Sequence, residues 1–160
     1  MTHDYKRNGT TTLFAALNTL DGTVISLCQD RHRHEEWLKF LRLIDRKTPK
    51  HLRLHLIVDN YATHKHPDVQ KWLTTHKRFV MHFTPTSASW LNMVERFFRD
   101  LSENRLRRDS FASVDDLEQA IAQYIEHHNK NPKPFIWTAS ADDILAKVTR
   151  AKAALARVGR

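Results

Sequence analysis

Leu52, Leu54 and Leu56 alternate with polar residues; Ile57 and Val58 then continue the apolar run unbroken until it stops at Asp59-Asn60. A strand with one wet face alternates throughout. A run that turns continuously apolar instead suits a strand covered on both faces, as in a sheet flanked by helices. This segment directs the chain toward an α/β architecture, and its surroundings agree. Thr10–Asn18 reads as a strand, Asp21-Gly22 as a hairpin turn in which Gly supplies the positive φ, and Thr23–Leu27 as the returning strand. His34–Ile44 sets Trp37, Leu38, Phe40, Leu41 and Ile44 at helical spacing, and Pro49 ends that segment. Pro67–Trp72 opens another helix, with Val69, Trp72 and Leu73 on one side, and Phe79–Phe83 is a further short strand. Pro85–Ser89 is a loop, with a helix from about Trp90.

The last third is expected to be helical. The Ser113 hydroxyl can cap a helix start while Asp115 and Asp116 complement its dipole; Leu117, Ile121, Tyr124 and Ile125 form the buried stripe. Asn129–Pro134 should break that helix, and Ser140 repeats the capping logic before Ile144, Leu145, Val148 and Leu155. The order is ββαβαβα followed by helices.

With 41% hydrophobic residues and only 3 Gly in 160 positions, the chain has the material for a packed core and none of the signature of disorder. No run approaches the roughly 18 apolar residues that span a bilayer. A single cysteine, Cys28, excludes a disulfide framework and any cysteine-based zinc finger. Soluble and intracellular is the expectation. The formal charge of +8 attracts polyanions, nucleic acid foremost. Among the basic residues Arg105, Arg107 and Arg108 cluster, Lys130 and Lys133 follow, and the tail is basic.

Two acids can carry chemistry. Asp59 ends the most buried-looking strand, where the strand ends of an α/β sheet open into a crevice. Alone, such an Asp is usually a turn-former or helix cap. Glu95 falls at the edge of the apolar stripe formed by Trp90, Leu91, Val94, Phe97, Phe98 and Leu101, where it can face a cleft or pair with Arg99. Together they are separated by one helix and one strand, a connection that would return the second helix beside the first strand. Paired carboxylates bind hard divalent cations through oxygen. Two such ions, about 3.5–4 Å apart, can activate an attacking oxygen and stabilise a departing one in phosphodiester displacement.

Leu56-Ile57-Val58-Asp59-Asn60 with His64, and Pro85-Thr86-Ser87-Ala88-Ser89-Trp90-Leu91-Asn92-Met93-Val94-Glu95, resemble the second and third acidic motifs of mariner-type DDE transposases, in their bacterial insertion-sequence branch. Asp4–Thr10, Phe111-Ala112-Ser113 and Asn131–Trp137 match the same branch, so the resemblance covers nearly the whole chain. It implies a ribonuclease-H-like fold, a mixed five-stranded sheet flanked by helices. Residues 1–112 would form part of the catalytic domain, and residues 113–160 a helical segment packed on it or extending it. It also implies Mg²⁺-dependent (or Mn²⁺-dependent) cleavage at transposon ends, joining of the freed 3′ hydroxyl to target DNA, a possible homodimer on DNA, and a bacterial cytoplasmic, nucleoid-associated setting. By the same resemblance Asp59 and Glu95 are the second and third metal-binding acids. Asn60, His64 and Asn92 position them, and the basic cluster from Arg105 to Lys133 holds DNA.

The family's first acid lies on a central strand upstream of the hairpin, and no residue here matches it: Asp4 sits in another motif and Asp21 in the turn. The helix-turn-helix DNA-reading region has no counterpart either. A truncated product, the second half of a frame-split transposase, or an internal start would each produce this pattern, and little transposition by the chain alone is expected. A noncatalytic nucleic-acid-binding remnant and a general ribonuclease-H-like nuclease are the alternatives. The histidine pairs His32/His34, His64/His66 and His127/His128 read as surface or DNA-facing, not as zinc ligands. His32 and His34 stand among arginines, and no third ligand is evident. Cys28 reads as packing.

Overall fold

The computed structural model describes residues 9–59, 62–84, 92–107, 110–132 and 149–150. Their element order is β1 (Thr12–Leu17), β2 (Val24–Gln29), α1 (His34–Lys47), β3 (Leu54–Asp59), a 3-10 turn (Ala62–Lys65), α2 (Pro67–Thr75), β4 (Phe79–Thr84), α3 (Asn92–Leu101), a π-helical turn (Ser102–Leu106) and α4 (Val114–Lys130). The ββαβαβα order read from the sequence is the one observed, and the chain is mixed α/β, with small sheets flanked by helices. The segment after residue 132, including the helix expected behind Ser140, lies outside the described residues apart from Thr149 and Arg150. The chain divides into two compact units. One gathers Met1–His32 with Val94–Phe135; the other gathers Arg33–Met93 with Ile136–Arg160.

In the first unit β1 and β2 form an antiparallel hairpin, from Leu17↔Val24 to Thr12↔Gln29. Gly22 takes φ +80°, as the turn demands. The Asp21 carboxylate accepts from the Thr23 N–H at 2.9 Å and the Thr23 hydroxyl at 2.7 Å, which explains why this acid is a turn-former. α4 starts as its capping residues dictate, with Ser113 Oγ accepting the Asp116 N–H at 3.1 Å. Val24, Phe97, Leu101, Ile121 and Ile125 form the core, with Leu13, Leu17, Cys28, Leu117 and Tyr124 packed around it. α4 runs through Asn129 to Lys130, so the expected break at Asn129 falls later. The reason is a tertiary bond. The Asn129 amide accepts from the Val24 N–H and donates to the Val24 carbonyl, both at 2.8 Å, like one more strand residue beside β2. Cys28 is half-buried; burial and the neighbouring Glu118 charge push its thiol up, outweighing the Thr11 hydrogen bond, so it stays a protonated packing group.

In the second unit α1 buries Trp37, Leu38, Phe40, Leu41 and Ile44, the face read from the sequence, together with Glu36. The Arg33 guanidinium donates to Glu36 at 2.9 Å and holds its carboxyl below the usual range. β3 and β4 are parallel, in register from Leu54↔Phe79 to Asp59↔Thr84, and α2 forms the crossover between them. Leu56, Ile57 and Val58 are half-buried, less covered than the apolar run suggested. β3 pairs only with β4 among the described residues, so its other edge carries no strand there. The amino ends of this pair are tied to the end of α1 by Arg78. Its guanidinium donates to Asp45 Oδ1 (2.7 and 3.1 Å), the Asp45 carbonyl (2.9 Å), Thr48 Oγ1 (2.8 Å) and the carbonyls of Pro49 and Leu52 (2.9 and 3.2 Å).

Candidate active site at the end of β3

Because β3 and β4 run parallel, their carboxyl termini lie side by side, and the last pair in the ladder is Asp59 with Thr84. Chain reversal into the 3-10 turn then brings His64 back against the strand end. Its Nδ1 lies 3.2 Å from the Asp59 backbone carbonyl and 3.2 Å from Asp59 Oδ1. Both are acceptors only, so Nδ1 carries the proton and shares it between them. The ring is 7% exposed and rests on the Trp37 indole, centroids 4.3 Å apart, whereas the Asp59 side chain is 47% exposed. A buried imidazole thus steers a carboxylate that remains open to solvent. A half-exposed carboxylate with one oxygen already oriented is a suitable oxygen donor for a hard divalent cation.

Glu95 occupies the first turn of α3 and is exposed, while Phe97 and Leu101 of the same helix are buried. Among the described residues no ion pair joins it to Arg99 or to any other cation. Asp59 belongs to the second unit and Glu95 to the first. Asn60, Arg108 and Lys133 lie outside the described residues, as does the side chain of Asn92. Arg105 is half-buried, its guanidinium 6.0 Å from the Phe111 ring centroid, and Arg107 is exposed. Lys130 is exposed, 3.8 Å from Glu126.

The histidines sort themselves differently from their spacing in sequence. His64 turns inward to Asp59, His128 donates Nε2–H to the Gly22 carbonyl at 2.8 Å, and His32 packs edge-on against Phe14 at 5.0 Å. His34 pairs with His66, ring centroids 3.6 Å apart, and Asp68 joins them. Asp68 thus stands beside two imidazoles as a third potential donor that the sequence reading did not find, because α1 and α2 bring together residues from different pairs.

A family model described as DDE superfamily endonuclease matches residues 2–118, a span that includes both Asp59 and Glu95. The chain belongs to this family. The acidic motifs read from the sequence thus led to the family that the comparison shows. DDE endonucleases generally depend on divalent metal ions, to which the carboxylate of Asp59 is suited. The chain is also similar to an uncharacterized 39 kDa protein of insertion element IS630 from Shigella sonnei, with 30% identity over 90 residues, 54% of this chain and 26% of that protein. Among solved structures it resembles a chain of the simian T-cell lymphotropic virus intasome, determined by cryo-EM in complex with PP2A regulatory subunit B56 gamma. There the TM-score is 0.52 at 13% identity, over 86% of this chain and 49% of that one. That likeness concerns the fold alone, and it agrees with the ribonuclease-H-like class expected. The DDE endonuclease chain thus spans about a quarter of the insertion-element protein and about half of the intasome chain. None of its described helices is long and apolar enough to cross a membrane.

Proposed function

We propose that this chain is part of the catalytic domain of an insertion-sequence transposase, which cuts DNA at the ends of the element and joins the freed 3′ hydroxyl to target DNA. The observation that carries the proposal is Asp59. It is a half-exposed carboxylate at the carboxyl end of a parallel strand, oriented by a buried imidazole, within a chain of the DDE endonuclease family. Asp59 and Glu95 serve as metal-binding acids for Mg²⁺ or Mn²⁺. Held by these acids, such ions would lower the pKa of the attacking water or hydroxyl and offset the charge that develops on the leaving oxygen. His64 fixes one oxygen of Asp59 and leaves the other for coordination. Asn60 and Asn92, adjoining the motif residues, hold the acids and the phosphodiester in place. Arg105, Arg107, Arg108, Lys130 and Lys133 take the phosphate backbone, consistent with the overall charge of +8. Membership of the DDE endonuclease family and the insertion-element relative favour DNA as the partner, and a homodimer assembled on DNA suits an element with two ends.

Asp59 and Glu95 stand as two acids of the DDE set, and none of the acids in these 160 residues matches the motif of the first. The purified chain should bind duplex DNA with strong salt dependence but nick it slowly in Mn²⁺. Fusion to a segment carrying an acid-bearing strand should restore nicking. In that fusion Asp59→Asn and Glu95→Gln should each abolish nicking and leave DNA binding intact. Fast nicking by the 160-residue chain alone would remove the need for a third acid. Retained nicking in either variant would remove that residue from the site.

A further inference from the structure

We infer that His34, His66 and Asp68 form a second, separate cation site, one for a borderline transition metal such as Zn²⁺. The site clamps the start of α1 to the start of α2. One ligand atom from each of the three residues lies within 4.8 Å of the other two. His34 Nε2 is 3.3 Å from Asp68 Oδ2 and 3.3 Å from Glu35 Oε1; His66 Nδ1 is 3.8 Å from Asp68 Oδ2. Zinc bonds of 2.0–2.1 Å in a tetrahedron set neighbouring ligand atoms about 3.3 Å apart, so the His34–Asp68 spacing already fits, as does that of His34 to the neighbouring Glu35. The imidazoles are parallel within 2°, and one ring must leave the stack for both lone pairs to converge on one ion. His66 Nδ1 now accepts the Asp68 N–H at 3.1 Å, so it is deprotonated, as a ligand nitrogen must be, and coordination there displaces one capping bond.

Charge and donor type decide which ion fits. Both imidazoles sit at helix starts, where the backbone dipole repels a cation. The acids Glu35 and Asp68, in the first turns of the same helices, reverse that sign. Arg33 is the cation facing the cluster; it lies 3.6 Å from Glu35 and is committed to Glu36 at 2.9 Å. Two nitrogens with one or two carboxylate oxygens select zinc-like ions over magnesium, which prefers an all-oxygen octahedron. The site is thus chemically distinct from the carboxylates proposed for catalysis and does not rest on that proposal. It has a structural consequence: His66 stands two residues beyond His64, so a bound ion fixes the turn whose imidazole orients Asp59.

The test uses the full chain, stripped with a chelator, and Co²⁺ as a spectroscopic probe. Titration should produce the intense visible bands of tetrahedral Co²⁺, saturating at one equivalent. Zn²⁺ should abolish these bands and excess Mg²⁺ should not. By calorimetry, His34→Gln and the more conservative Asp68→Asn should each weaken Zn²⁺ binding at least about tenfold, a loss expected when one of few ligands is removed. His55→Gln is the control, because His55 and His82 form another close imidazole pair, at 3.0 Å, on the parallel strands and away from the two helix starts. A featureless Co²⁺ titration of the parent chain, or Zn²⁺ binding lost in His55→Gln but kept in His34→Gln, would overturn the assignment.

Discussion

Replacing Arg78 with Met removes every donor of the guanidinium while keeping an unbranched side chain of similar reach. Two of its bonds, to the Pro49 and Leu52 carbonyls, are exposed, and water replaces them at little cost. The part-buried bonds matter more: Nε and Nη2 to Asp45 Oδ1, and Nη2 to the Asp45 carbonyl and Thr48 Oγ1. Hydrogen bonds to a charged partner contribute about 1.5–3 kcal/mol net. Lys50, 3.1 Å from Asp45 Oδ2, stays in place, so the carboxylate does not become an unpaired charge with its larger penalty. A loss of about 2–3 kcal/mol follows for Arg78→Met, with Arg78→Lys recovering less than half because an ammonium cannot form the fork. The assay is native-state hydrogen exchange of the β3 and β4 amides, which reports the opening of this unit by itself. The gap between parent and variant should also close in acid. Burial pushes the Asp45 carboxyl up, but the hydrogen bonds and charges of Arg78 and Lys50 outweigh it and leave the group below its ordinary value of 3.8. A depressed folded-state pKa stabilises fully above that ordinary value, and the contribution is lost as pH falls through the folded one. A fall of less than about 0.5 kcal/mol at neutral pH, the scatter expected of an ordinary surface change, would refute the reasoning. So would identical behaviour of the Met and Lys variants.

In the other unit, Asn129→Leu leaves the N–H and C=O of the buried residue Val24 without their amide partner, so urea unfolding should show a loss of about 2–4 kcal/mol with Asn129→Asp intermediate. A Leu variant as stable as the parent would show that water replaces the clamp. His64→Phe preserves packing on Trp37 but removes the bond to Asp59. In the active fusion it should raise the Mn²⁺ concentration for half-maximal nicking by about 10–100-fold, as loss of a bond orienting a metal ligand does. An unchanged metal dependence with a lower melting temperature would make His64 a packing residue only.

What the sequence revealed follows the range of the interactions involved. The hairpin turn was legible because Asp21 and Gly22 act within three residues, and the start of α4 because Ser113 and Asp116 do likewise. The face of α1 was legible from its period. Asn129 looked like a helix breaker because its intrinsic preference is visible locally, while its partner, Val24, is 105 positions away. Arg78 carries no local signal for the same reason, since its partners lie 26 to 33 positions away. The histidines are the clearest case. Adjacent pairs such as His32 with His34 suggested neighbours, but residues two apart on different elements point different ways. The stack of His34 on His66 exists only because two helix starts meet. Of the candidate site, the position of Asp59 at a strand end was readable. The bond that orients it needed the 3-10 turn.

Anchorage of the parallel pair is divided unevenly between its ends. At the amino ends, Leu54 donates to the Arg78 carbonyl at 2.7 Å and the Arg78 guanidinium donates to five backbone and side-chain acceptors at and beyond the end of α1. At the carboxyl ends, the described contact to Asp59 beyond the ladder is one shared imidazole proton. An active-site carboxylate must be held firmly enough to keep its direction yet lose its remaining contacts to an incoming ligand at little cost, and a strand fixed at its far end satisfies both demands. Substitutions near Arg78 should therefore be read out as stability and those near His64 as ligand affinity, although both act on the same six-residue strand.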